Sequence, residues 1–267
     1  MDQIQTEQSD GILRIEFNRP EKKNAITVAM YQGLADAFFA AHSDPQVRVV
    51  LVQGKPGVFT AGNDLQDFLA DPPQSESHPV YAFLHAIKDC AKPIVAAVSG
   101  PAVGIGTTML LHCDLVYAAS ETLFALPFVN LALCPEAGSS YLLSRLSGYT
   151  RAAELLMLGN PFSAAHALEI GLVNAVVPRD RLLVTALAAA RALARKPPAS
   201  LQATKSLMRQ ALMDGTERAM AAENKVFRER LGSPEAKEAF AAFFEKRSPD
   251  FSKFSRSGGP DRGPEKR

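Results

Sequence analysis

With 267 residues, 47% hydrophobic and 21% charged, the chain has the make-up of a soluble globular protein, long enough for one large domain and an appendage. A formal net charge of +1 gives no support for nucleic acid as the main partner, and no apolar run reaches membrane-spanning length. Three cysteines (Cys90, Cys113, Cys134) without metal-ligand spacing read as reduced, buried thiols of a cytoplasmic protein; the polar, acidic opening MDQIQTEQSDG reads as neither signal nor transit peptide.

In chain order, Ile12–Phe17 alternates apolar and polar as a half-buried strand does, and Asn18–Asn24 is a turn. Thr27 caps a helix whose apolar positions Met30, Leu34, Ala37, Phe38 and Ala41 recur at helical spacing. Val47–Gln53 is a β-branched strand; a glycine-containing bend, Gly54–Leu65, then runs into a short helix that Asp64 caps. After the polar loop Asp71–Ser77, a helix covers Val80–Cys90. The buried strands Pro93–Val98 and Asp114–Ala119 enclose a second glycine-rich bend, Ser99–Gly106, and an apolar helix, Thr107–His112.

Beyond them a helix is expected from Pro135–Glu136 to Leu146, stopped by Gly148, because proline suits a first helical position. Short helices Arg151–Leu158 and Ala164–Ile170 end at Gly159 and Gly171, and Leu172–Val177 is a last strand. From Arg179 onward only helices are expected: Leu182–Arg195, Ala199–Met213, Glu217–Leu231 and Pro234–Lys246. The tail Ser252–Arg267 has the composition of a disordered segment. The expected division is an α/β core over 1–195, a helical region over 196–251 and a tail over 252–267.

Two features carry chemistry. The bends at Ala61-Gly62 and Val103–Gly106 each follow a strand and open a helix, so their amides either converge on one negative oxygen or belong to two plain tight turns. Glu136 is the one carboxylate between Thr122 and Leu143, read either as a proton-transfer group in an apolar surround or as a first-turn acid complementing a helix dipole. The five histidines (His42, His78, His85, His112, His166) show no metal-ligand grouping, and no nucleophile elbow surrounds Ser139 or Ser140. Cys134 reads as a packed thiol. Arg19, Lys22 and Lys23 either meet phosphates or form a solvated turn.

Three segments, Asn18–Ile26 (NRPEKKNAI), Phe59–Leu65 (FTAGNDL) and Pro93–Gly106 (PIVAAVSGPAVGIG), make the chain resemble the crotonase (enoyl-CoA hydratase/isomerase) superfamily over about residues 10–250. The resemblance implies an α/β fold, a spiral of ββα units with an all-helical C-terminal trimerisation region, acting on acyl-CoA thioesters as a homotrimer or dimer of trimers. It implies no metal and no cofactor, coenzyme A being part of the substrate, with the amides of Ala61 and Ile105 forming the oxyanion hole. Most members have three glycines where this chain has Gly104-Ile105-Gly106.

By the same resemblance, the two glutamates of family hydratases fall on Thr108 and Phe128 here, while the segment around Glu136 (CPEAGSSY) looks like that of peroxisomal-type Δ3,Δ2-enoyl-CoA isomerases, in which one glutamate does the acid/base work. Substrate contacts carry over to Lys22 and Ala25 near the nucleotide, and to Gly62, Asn63, Asp64, Leu65 and Gly104 along the pantetheine path. Phe128 becomes an apolar wall, and Phe243 and Lys246 reach coenzyme A from the C-terminal end. The implied activity moves a 3-enoyl-CoA to its 2-enoyl isomer. A hydratase or other crotonase-type reaction is one alternative, and a non-catalytic acyl-CoA-binding protein is another.

Overall fold

The computed structural model describes residues 3–254 except position 56. Strands β1 (Ile4–Ser9) and β2 (Ile12–Phe17) form an antiparallel hairpin turned by Asp10 and Gly11, both at positive φ (54° and 75°). Helix α1 (Val28–Ser43) follows; the Thr27 side chain accepts from the Met30 amide, as its capping role requires. Strand β3 (Val49–Gly54) pairs in parallel with β2, after which come α2 (Leu65–Ala70) and α3 (Pro79–Asp89).

Strand β4 (Ile94–Val98) leads through the short β5 (Pro101–Val103) into a single-turn α4 (Ile105–Thr108), which tightens into a 3-10 turn over Met109–His112. The pattern repeats in β6 (Leu115–Ala119), β7 (Leu123–Ala125), α5 (Ser139–Ser147) and α6 (Tyr149–Leu158). Then β8 (Phe162–Ser163), α7 (Ala164–Glu169) and β9 (Ala175–Val177) lead to the helices α8 (Arg179–Ala194), α9 (Pro198–Leu231) and α10 (Pro234–Glu245).

The large sheet has the order β1-β2-β3-β4-β6-β9, parallel from β2 onward. The small sheet is β5-β7-β8, and Thr60 extends it through a parallel bridge to Ala102. After the β1–β2 hairpin, the turns through β4–β5 and β6–β7 each lay one strand in the large sheet and the next in the small one before a helix, which is a spiral of ββα units. Buried on both faces, β3 up to Val52 and all of β4 carry only Val, Ile, Leu and Ala. One face packs on α1 and α3, with Leu34, Phe38, Phe83 and Ile87 in the main core. The other is covered by Leu182, Ala186 and Ala190 of α8 against Val49, Leu51 and Val95.

The structure departs from the expected elements in several places, among them the short strands β5, β7 and β8 of the small sheet, which had no sequence counterpart. Strand β1 is a sheet edge whose side chains, IQTEQS, are exposed past Ile4, so its sequence has no apolar alternation to reveal it. The two helices expected on either side of Gly215 are one 34-residue helix. Gly215 does not break it but provides clearance, since a Cβ there would fall 2.3 Å from Tyr141 Cζ. Helix α5 begins at Ser139 rather than at Pro135, because Ala137 and Gly138 both adopt positive φ (60° and 72°). Of the tail, Ser252–Phe254 forms a 3-10 turn, and positions 255–267 lie outside the described residues.

Candidate active site

The first bend is built around Asn24, fully buried at φ 53°, a left-handed conformation that asparagine tolerates better than most residues. Its Nδ2 donates to the carbonyls of Val58 and Phe59, both at 3.0 Å, and its Oδ1 accepts from the Arg19 amide at 2.7 Å. Thr60 Oγ1 donates to the Asn24 carbonyl at 2.6 Å and accepts from the Gly62 amide at 3.1 Å. The Ala61 amide donates to the Lys23 carbonyl at 2.9 Å, and that of Asp64 to Ile26 at 2.9 Å. The amide left over is that of Asn63, for which the described residues offer no backbone acceptor.

The second bend supplies a similar donor. Gly104 (φ 55°, ψ −118°) precedes α4, and its own amide donates to Ala125 at 2.9 Å. Ile105 is the first residue of α4, so its amide has no intrahelical acceptor. The two bends touch: a Cβ on Gly62 would fall 2.7 Å from the Val103 carbonyl oxygen, and one on Gly106 2.6 Å from Thr60 Cγ2. Asn63 and Ile105 both line one cavity of about 320 Å³ whose walls include Phe68, Phe128, Leu131 and Phe227.

Glu136 is buried (8% exposed) on the loop ahead of α5, and Thr108 at the end of α4 donates its hydroxyl to Oε1. Burial pushes the Glu136 carboxyl up to about 8; the Thr108 hydrogen bond opposes this and the charge of Glu223 adds to it. Glu136 does not itself line the cavity. Nor does its partner Thr108, but Thr108 lies three residues on from Ile105 and Glu136 three residues after Leu133, both of which are in the cavity wall. Tyr31, whose hydroxyl donates to Asn63 Oδ1 at 2.5 Å, feels the Glu136 charge from the other side.

The expected site residues therefore separate. Gly62, Asn63, Leu65, Gly104, Ile105, Phe128 and Phe243 line the cavity; so does Ala61, but not as an oxyanion donor, its amide being spent on Lys23. Asp64 is corrected as well. Its carboxylate caps α2 through the Gln66 and Asp67 amides and pairs with Arg19 at 2.7 Å, a structural task away from the cavity. Burial would raise its pKa, but Arg19 and the two amides outweigh that and hold it below the usual carboxylate range. Lys22 and Ala25 on the first turn, and Lys246, the exposed left-handed cap of α10 (φ 55°), are not part of the cavity wall. Glu136 is not in the first turn of a helix but ahead of it.

Sequence reasoning missed the Asn63 amide, the pinning role of Asn24 and the buried Glu223, which accepts from the Gly138 and Ser140 amides. Only Asn24 carried a signal, as a short polar side chain between two bend-forming segments. Among the described residues no group of three metal-ligating side chains occurs, and no helix is long and apolar enough to cross a membrane.

Comparison with known proteins agrees with this architecture. The family model described as enoyl-CoA hydratase/isomerase matches residues 7–254. A crystal structure of enoyl-CoA hydratase/isomerase from Pseudoalteromonas atlantica T6c superposes with a TM-score of 0.90 at 40% identity, covering 94% of this chain and 100% of that one. The 2,3-dehydroadipyl-CoA hydratase of Escherichia coli (strain K12) is 32% identical over 255 residues, 94% of this chain and 99% of the relative. Human enoyl-CoA delta isomerase 2 is 34% identical over 246 residues, 90% of this chain, which spans 62% of the human protein. The chain belongs to the enoyl-CoA hydratase/isomerase family and has the crotonase fold.

Proposed function

We propose that the protein is an acyl-CoA double-bond isomerase that converts a 3-enoyl-CoA to the conjugated 2-enoyl-CoA. The observation that carries this reading is the Thr108–Glu136 pair. By the family resemblance, a hydroxyl stands where hydration would need a second carboxylate, and it is bound to the buried acid Glu136. Phe128 occupies the other expected hydratase position and forms part of the apolar wall.

The C2 protons of a 3-enoyl thioester are acidified from both sides. Glu136 in its carboxylate form takes one of them, leaving a dienolate with its charge largely on the thioester oxygen. The amides of Asn63 and Ile105 are the donors available to that oxygen, and losing one such donor typically costs about 3 kcal/mol of transition-state stabilisation. The carboxylic acid formed on Glu136 then returns its proton to C4, so a single acid/base group closes the cycle. Burial that lifts Glu136 towards neutrality suits a group that must both take and give a proton. The aromatic and aliphatic wall keeps water from the dienolate.

Leu207 and Met208 on α9, 71% and 73% exposed, support self-association, the family resemblance supports a homotrimer or dimer of trimers acting in fatty-acid β-oxidation, and the unpaired cysteines support a cytoplasmic location. The test of the reaction is a product assay on a panel of 3-enoyl- and 2-enoyl-CoA esters without added cofactor. Conversion of 3-hexenoyl-CoA to 2-hexenoyl-CoA is expected. Robust addition of water to crotonyl-CoA would favour the hydratase reading instead, and tight binding without turnover a non-catalytic one.

A further inference from the structure

The turn that carries Glu136 is held from two sides. On one, His112 Nε2 lies 2.7 Å from the Ala137 carbonyl. On the other, Glu223 reaches in from α9: Oε2 accepts from the Gly138 amide at 2.6 Å, and Oε1 from the Ser140 amide at 2.9 Å and the Ser140 hydroxyl at 2.5 Å. Helix α5 has glycine at its cap position, so no local side chain performs this task. A neutral acceptor would satisfy a plain cap, whereas a buried carboxylate (6% exposed) is costly.

We propose that Glu223 is a positioning residue for proton transfer by Glu136: it clamps the left-handed Ala137–Gly138 turn and, as the fixed negative member of a carboxylate pair, leaves the exchangeable proton to Glu136. The inference rests on the reading of Glu136 as the base.

The hydrogen bonds distinguish the two carboxyl groups. Among the described residues the Glu223 carboxyl meets two amides, which only donate, and the Ser140 hydroxyl, a set that favours the ionised, accepting form. Burial raises Glu223 above the ordinary carboxylate range, and the Ser140 and Gly138 donors offset this in part. Glu136 has one donor, Thr108, and its second oxygen is left to carry a proton. Two buried like charges within reach of each other do not both ionise freely, and environments that separate such a pair divide the labour between them.

The other titratable groups around Glu136 do not neutralise it. Tyr31 from α1 is held protonated by burial and by the Glu136 charge, and Cys134 on the same loop is pushed up to about 11, chiefly by burial. His112, from the turn after α4, is pushed down to about 4 by burial and is neutral. Arg230, which acts on Cys134, is itself paired with Glu235.

The test is the pH profile of kcat/KM for 3-hexenoyl-CoA isomerisation by the full-length protein. Activity rises with pH as Glu136 ionises, so removing the neighbouring charge moves that acid limb to lower pH. Glu223→Gln should shift it by about one pH unit and lower kcat roughly 10- to 100-fold through misplacement of the base, with KM within about threefold. Ser140→Ala removes one donor, which makes Glu223 easier to protonate, and should shift the limb less in the same direction. It leaves both amide bonds and decides the matter if Glu223→Gln does not fold. An acid limb that stays in place, with only thermal stability lowered, overturns the proposal. If Glu136→Gln retains native activity, the base reading falls and this inference with it. If Glu136→Gln is dead while Glu223→Gln has the native profile, only this inference falls.

Discussion

The hydroxyl of Thr108 donates to Oε1 of Glu136, a bond between two buried side chains 28 residues apart that ties the loop ahead of α5 to the end of α4. It opposes the effect of burial on Glu136, so its loss should raise the pKa further. The near-isosteric Thr108→Val is therefore expected to move the acid limb of kcat/KM to higher pH and to lower activity at neutral pH about tenfold. Most of the loss should return at alkaline pH. A limb that does not move would mean the bond has no influence on the base.

The same residue makes stability depend on pH. The folded pKa of Glu136 is about 8, above its ordinary value of 4.5, so the folded chain holds a proton that the unfolded chain gives up. Stability is thus fully present below about pH 4.5 and is lost as pH rises to about 8. Glu136→Gln lacks this group. It should match the native protein near pH 4.5 and exceed it at pH 9 by on the order of 5 kcal/mol, even though it is expected to be inactive. Thermal unfolding at the two pH values checks this; equal melting temperatures at pH 9 would contradict it.

Gly62 sits at φ 86° with room for no side chain, its absent Cβ lying 2.7 Å from the Val103 carbonyl oxygen. Gly62→Ala must part the two bends and with them the Asn63 and Ile105 amides. We expect kcat/KM to fall at least about tenfold, with a stability loss of about 2 kcal/mol. Native kcat/KM in a folded variant, verified by circular dichroism, would show that the spacing of the bends is not critical.

Asn24 makes three side-chain hydrogen bonds in a fully buried, left-handed position. Asn24→Ala would leave two carbonyls and an amide unpaired and place alanine at positive φ, a cost of about 2–4 kcal/mol. Urea unfolding reads this directly, and a loss below about 1 kcal/mol would mean that water or a shifted backbone replaces the contacts.

What was legible in the sequence was whatever local pattern determines. Val49–Gly54 and Ile94–Val98 are β-branched runs buried on both faces, and Thr27 and Asp64 announce the helices they cap. What was hidden depends on partners far along the chain. Pro135 invites a helix start, but the left-handed Ala137 and Gly138, held by Glu223 85 residues away, delay it to Ser139. Gly215 resembles a stop until Tyr141 is seen against it. The glycine pattern locates the first bend, yet which amide remains free, Asn63 rather than Ala61, follows only from the bond between Ala61 and Lys23.

In the proposed reaction Glu136 alone moves the proton. The most direct measurement of this step is the transfer of deuterium from C2 to C4 of 2,2-dideuterated 3-hexenoyl-CoA, comparing the native protein with Glu136→Gln at matched substrate occupancy. Rapid isomerisation with label carried to C4 is expected of the native protein, and a rate lower by roughly 10²- to 10⁴-fold for the variant with ester binding retained. Isomerisation by Glu136→Gln at the native rate would place the base elsewhere.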